Sequence, residues 1–319
     1  MAIGKHVNPF SKSNNDTGFG INANNYGGRF VNKDGSFNLQ KEGLPLLQRF
    51  SIYHSMLNMP RWKFIGTIII FFILINIFYT LIYLITGIDQ LQGFITTTEW
   101  GKIKELFFFS TETFTTVGYG RINPVGDGAN IISSFEAMSG FLSFAIATGL
   151  IYGRFSKPKA YLAFSEHALI TPYHDKMALM FRVASYKDNH TITNAEIKVS
   201  TALMVQENGN SVFKFYELPL ERSRVDSLTM NWTVVHPIDE NSPLLDFNFE
   251  DMKAADLEVY VLVRGFDDVY SNTVLKRTSY TFEEIKFNVK FVQMYHESED
   301  GKTTILELDK LGKYKEVQD

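Results

Sequence analysis

The sequence has no cysteine, which excludes disulfides and thiolate-based metal or redox centres. It has no excess of positive charge: the formal net charge is −4, so no global field favours nucleic acid. It has no Gly-rich strand-to-helix fingerprint, which argues against a dinucleotide-binding domain. No nucleophile–base motif, metal-ligand spacing or phosphate loop occurs, and His54, His167, His174, His190 and His236 are scattered without ligand spacing. Enzyme chemistry and a resident cofactor are therefore not expected. An EF-hand loop is missing as well, so calcium sensing has no support. Residues 1–40 are polar, without the apolar stretch of a signal peptide.

What the chain does contain is two long apolar runs. Phe64 to Thr86 holds 23 residues and no charge. At about 1.5 Å per residue it reaches roughly 35 Å, enough to cross a hydrocarbon core. Asn76 is its one strongly polar residue and is expected to face protein. Ile131 to Tyr152 is a weaker second span, carrying Ser133, Ser134, Glu136, Ser143, Gly140 and Gly149. Such residues suit a helix that packs on partners and lines water. Arg61 and Lys63 precede the first span, and Arg154, Lys157 and Lys159 follow the second. Positive-inside logic puts both termini in the cytoplasm. Before the first span, apolar residues at 46, 50, 53 and 57 mark one face of an amphipathic helix along the membrane surface.

Between the spans lies Thr115-Thr116-Val117-Gly118-Tyr119-Gly120. Consecutive backbone carbonyls, with the Thr116 hydroxyl, can replace the water shell of a potassium ion. Gly118 and Gly120 supply the positive φ that such a strand requires. Val117 and Tyr119 are expected to point outward and brace it. One chain supplies one strand, so the motif demands about four copies around an axis. Lys104 to Thr115 is apolar but too short to cross, and reads as a re-entrant half-helix. Its partly negative C-terminus would face a cation. Glu112 sits close behind the filter and needs a partner, for which Arg121 is the nearest candidate. An Arg121 turned to the outer mouth would instead repel entering cations. Glu136 is either a second filter-side partner or a cavity charge.

Residues 1–28 have too little apolar surface to order. Residues 28–39 read as strand, Asp-Gly turn and strand. From Lys159 onward, short alternating runs take over: Ala178–Val183, Ile197–Leu203, Val212–Leu218, Trp232–Val235, Leu257–Val263, Ile285–Val292 and Thr304–Leu308. About seven such strands argue a β-sandwich.

At this point the chain resembles a bacterial inward-rectifier potassium channel (the KirBac group). The match runs from about residue 28 to about 315. It is carried by Asn32–Asn38, Phe108–Thr113, the filter, Ala147–Phe155, Leu179–Ala184 and His236–Leu244. The resemblance implies a homotetramer in the inner cell membrane. It divides the chain into a cytoplasmic N-terminal segment (1–42), a slide helix (43–60), a two-span pore domain (61–156) and an immunoglobulin-like cytoplasmic β-sandwich (157–319). It implies passive passage of potassium past Thr116, Val117, Gly118, Tyr119 and Gly120.

By the same resemblance, Glu112 and Arg121 support the filter, although the eukaryotic Arg lies one residue later. Tyr152 matches a bulky gate at the bundle crossing, on the helix that carries Gly149. Phe144 stands where an acid favours Mg²⁺ or polyamine block, and Asn194 where many relatives have a vestibule acid. Rectification is thus expected to be weak, with Asp226 a partial substitute. A turn around Gly265 and Phe266 would form a second constriction. Arg61, Trp62, Lys63, Arg154, Lys157, Lys159 and Lys187 resemble the family's anionic-lipid contacts, and basic residues there gain about 1 kcal/mol each. The alternatives are a two-span channel gated by a cytoplasmic ligand, or a non-conducting sensor or scaffold.

Overall fold

A computed structural model of the chain describes residues 7–14, 29–188, 190–207 and 209–317. The expected disorder of 1–28 falls largely outside them. The chain forms two compact units: 42–157, and a second built from 1–41 with 158–319.

The first unit is helical. The expected surface helix is two pieces, α1 (Leu46–Arg49) and α2 (Ile52–Asn58). Ser51 breaks it, in extended backbone, by capping α2: its hydroxyl accepts from the His54 N–H at 3.3 Å. Then come α3 (Arg61–Thr86), the half-helix α4 (Glu99–Phe114) and α5 (Asp127–Phe155). Both α3 and α5 are long and apolar enough to cross a membrane. Most of the apolar side chains of α3 are exposed, as lipid contact requires, and the exceptions are informative. Phe64, Asn76, Thr80 and Tyr83 are buried, and the last three lie on one stripe. Tyr83 packs in a cluster with Leu106, Phe109, Ile122 and Ala129, which joins α3, α4 and α5. Thr98 caps α4 by accepting from the Gly101 N–H.

The second unit is a sandwich of two five-stranded sheets. One sheet runs Asn272–Thr281, Glu258–Asp267, Ile192–Glu207, Asn210–Glu217, with Arg224–Leu228 also on Ile192–Glu207. The other runs Ile285–Phe287, Ala168–Tyr173, Lys176–Ser185, Leu162–Phe164, with Asn231–Ile238 also on Lys176–Ser185. Pairing is antiparallel, except for Ile285–Phe287 beside Ala168–Tyr173. Leu179, Phe181 and Val183 from one sheet meet Ile197, Val199 and Val259 from the other in a continuous core. The stretch 285–292 is two short strands, because Asn288 takes φ 56° between them. Around the Asp34-Gly35 turn, Val31 and Phe37 form a single bridge rather than a two-stranded ladder.

Candidate functional site

The end of α4 shapes the strand that follows it. The Val117 and Gly118 N–H groups both donate to the Glu112 carbonyl, at 2.9 and 3.3 Å, and the Thr116 N–H donates to the Thr113 carbonyl at 3.0 Å. The helix therefore closes on the first residues of the motif. Beyond it, φ is positive at alternate residues: 60° at Thr116, 56° at Gly118 and 77° at Gly120. Alternation of right- and left-handed dihedrals turns successive carbonyls toward one side instead of opposite sides, which is what a carbonyl-lined path needs. The glycines bear out the conformational demand read from the sequence. Thr116 joins them although it is β-branched.

Val117 and Tyr119 do not brace the strand within their own chain. They are 54% and 80% exposed, and no atom lies within 4 Å of where a Cβ on Gly118 or Gly120 would stand. A hollow of about 390 Å³ lies behind the strand, lined by Glu112, Thr113, Ser133 and Ser134 among others. The C-terminal end of α4 rests directly on α5. A Cβ on Gly140 would overlap the Phe114 carbonyl, so only glycine allows that approach.

The expected pairing of Glu112 with Arg121 does not form. The Arg121 Nη1 donates to Glu105 Oε2 at 3.0 Å, and the Glu112 carboxylate has no hydrogen-bond or ion-pair partner among the described residues. Glu105 and Glu112 are seven residues apart on α4, so they share one helix face about 10 Å apart. Arg121 has reached the nearer end of that face. The i,i+7 spacing was the signal that sequence reasoning missed.

The position of Glu136 is now defined. It is fully buried, accepting from the Tyr83 hydroxyl at 2.7 Å and the Ser110 hydroxyl at 2.5 Å. Ser110 is also 3.0 Å from Asn76 Oδ1. One carboxylate thus joins both long helices to the half-helix, on the side of α5 that supports α4.

Further along α5, Phe144, Thr148, Tyr152 and Phe155 recur at helical spacing on one exposed stripe, and Gly149 lies beside it with open space. Arg154 is committed within the unit: its guanidinium donates to the Met56 and Met59 carbonyls at the end of α2 and stacks over Phe64. Lys157 donates to the Asn58 side chain. Trp62 is 71% exposed and Arg61 and Lys63 share its turn at the start of α3.

In the sandwich unit, Gly265 and Phe266 are not in a turn. They belong to strand Glu258–Asp267, at a bulge where its register against Ile192–Glu207 shifts, and the turn lies at 268–271. Asn194, with φ 48°, sits opposite at the bulge and accepts from Arg224 at 2.6 Å. Asp226 is exposed on the adjoining strand, so Asn194, Asp226, Gly265 and Phe266 come together on one sheet. Lys159 and Lys187 are exposed in the same unit.

Residues 162–319 match the family model described as the inward rectifier potassium channel C-terminal domain, and 66–157 match the model described as ion channel. The chain is 31% identical to the inward rectifier potassium channel Kirbac3.1 of Paramagnetospirillum magnetotacticum, over 91% of this chain and 95% of that one. It is 30% and 29% identical to the G protein-activated inward rectifier potassium channel 1 of Rattus norvegicus and of Homo sapiens. Those two matches cover 58% of this chain and 38% of each relative.

Proposed function

The chain belongs to the inward-rectifier potassium channel family, and from that premise we propose that it conducts potassium passively and selectively as a homotetramer. The observation that carries this reading is the left-handed alternation at Thr116, Gly118 and Gly120 on the capped end of a half-helix. It is the backbone required to strip water from a cation, and its own chain leaves the strand's Val117 and Tyr119 uncovered. Three further copies would cover them and close the ring.

The exposed stripe Phe144–Tyr152–Phe155 supports an inner helix facing the axis, with Tyr152 the constriction. An aromatic at 144 and an amide at 194 leave little negative charge to hold Mg²⁺ or a polyamine, so rectification is weak. Phe266, beside a bulge that permits local movement, is the second constriction. Anionic lipid acts through Arg61, Trp62, Lys63, Lys159 and Lys187, while Arg154 and Lys157 transmit its effect by holding the end of α2. Residues 29–41 precede the membrane unit and 158–319 follow it, yet they fold together. Two crossings return the chain to the side it left, with both ends in the cytoplasm and the protein in the inner membrane.

Purified protein in liposomes tests the reading. Rubidium uptake should exceed sodium uptake many-fold and be blocked by Ba²⁺. Equal uptake of the two ions, or none with lipids of any charge, would sink it.

A further inference from the structure

Arg121 directly follows Gly120, so its backbone stands at one end of the carbonyl-lined strand. A guanidinium loose at that mouth, repeated in each copy of an assembly, would repel entering cations. Its side chain is held against the half-helix instead, 3.0 Å from Glu105. Glu105 is itself fixed. Its carboxylate also accepts from the backbone N–H groups of Ile95 and Thr96, at 3.1 and 3.2 Å. The Glu105 side chain is 12% exposed, against 41% for Arg121.

The backbone of Arg121 needs no help from this pair. Leu91–Gln92 pairs with Asn123–Pro124 just beyond it. Gly93, at φ 101°, lies so close to the Arg121 carbonyl that a Cβ would overlap it. The neighbouring Ile122 is buried in the cluster that joins the three helices. Packing and pairing thus set where the main chain runs. What Glu105 adds is the direction of the Arg121 side chain, toward the helix that backs the strand.

We infer that Glu105 is a positioning residue for conduction: it holds the Arg121 guanidinium aside so that the outer mouth is not ringed by positive charge. The inference rests on the reading of Thr116–Gly120 as a potassium filter in a multi-copy assembly. Glu105 touches no ion, and its role is exerted wholly through Arg121.

The test uses full-length protein in liposomes and rubidium uptake at low and high external salt, with an impermeant organic cation as the salt. The Ile95 and Thr96 N–H groups bond to different carboxylate oxygens, so Glu105→Gln keeps an acceptor for one of them and gives up the charge. Its uptake should fall about tenfold at low salt. The loss should shrink toward nothing at about 1 M salt, where the screening length is only about 3 Å. Adding Arg121→Gln to the same chain should restore uptake at low salt. A merely structural Glu105 predicts the opposite: a loss indifferent to salt and not relieved by the second substitution. Either that result, or E105Q uptake equal to wild type at low salt, would overturn the inference. If E105Q assembles only when Arg121 is also replaced, the pairing is supported; a double variant that fails like the single one counts against it. Wild-type protein without potassium-selective uptake defeats the channel reading itself. Wild-type conduction with an unaffected E105Q defeats this inference alone.

Discussion

Thr116 holds a β-branched side chain at φ 60°, a region that costs such residues about 1–2 kcal/mol. Gly118 and Gly120 continue the same left-handed alternation at no such cost. Glu136 is the opposite kind of residue, hidden and fully bonded. Glu136→Ala would leave the buried Tyr83 hydroxyl without its acceptor, while the Ser110 hydroxyl retains Asn76 Oδ1, a penalty of roughly 1–3 kcal/mol. We expect the detergent-solubilised assembly of that variant to melt well below wild type. Glu136→Gln, which keeps an acceptor for one hydroxyl, should fall in between, and an unshifted melt for Glu136→Ala would show that the carboxylate is not a structural joint. The sequence marked Glu136 as significant but could not orient it, because a helical pattern does not say which neighbour fills which face. It also marked the wrong carboxylate for Arg121. Glu105 and Glu112 are equivalent by helix phase, and only the turn between Gly120 and Asn123 decides which one the side chain can reach.

Among the elements, α5 does two jobs on two faces. Gly140 and Glu136 receive the half-helix, while Phe144, Thr148, Tyr152 and Phe155 stay uncovered. A stripe of large apolar side chains left bare on a helix beside a pore is suited to closing it by excluding water. On the proposed reading, Tyr152→Ala should raise basal rubidium uptake several-fold, with selectivity over sodium unchanged because Gly140 and Thr116–Gly120 are untouched. Unchanged uptake would remove Tyr152 as the constriction. The two long helices were legible because long apolar runs, the first of them free of charge, have few alternative structures. The break at Ser51 was not, because periodicity at 46, 50, 53 and 57 carries through a cap that only backbone geometry reveals. The sandwich was legible as a class from its alternating runs. Strands such as Ala168–Tyr173 and Asn272–Thr281 escaped notice: the first is buried along most of its length and does not alternate, and the second carries polar residues at many positions. The resemblance put a turn at Gly265 and Phe266, whereas the structure places them at a bulge just before it, a position that also suits glycine.

At the scale of the whole chain, the most consequential feature is that the cytoplasmic unit is discontinuous in sequence. Residues 29–38 are fastened to the sandwich by groups far along the sequence, from Ala202 to Glu284. Glu258, itself buried, accepts from the Phe30 and Val31 N–H groups at 3.0 and 3.3 Å and from the Tyr260 hydroxyl at 3.1 Å. Phe30 and Val31 fill a small core with Ala202, Phe213 and Phe215. Arg29 forks onto Glu284 at 3.1 and 2.9 Å, and Lys33 lies over the Tyr280 ring. Burial is strong enough to bring the Lys33 ammonium down to about 8 despite Glu284 beside it. The apolar anchors and the buried acceptor dominate this attachment, since Arg29 and Glu284 are each 24% exposed and partly screened. Glu258→Ala should cost the attachment roughly 2–3 kcal/mol, through two backbone N–H groups left without an acceptor. That corresponds to an open segment about 30 to 160 times more populated. Trypsin cleavage after Arg29 and Lys33 in the full-length protein should accelerate by that factor under conditions where reclosing outpaces cutting. Glu284→Gln should change the rate only a few-fold, because the fork it weakens is partly exposed and screened, and the amide keeps one oxygen for Arg29. If both variants are cut alike, surface charge rather than the buried cap holds the segment; if neither differs from wild type, the small core around Phe30 holds it alone.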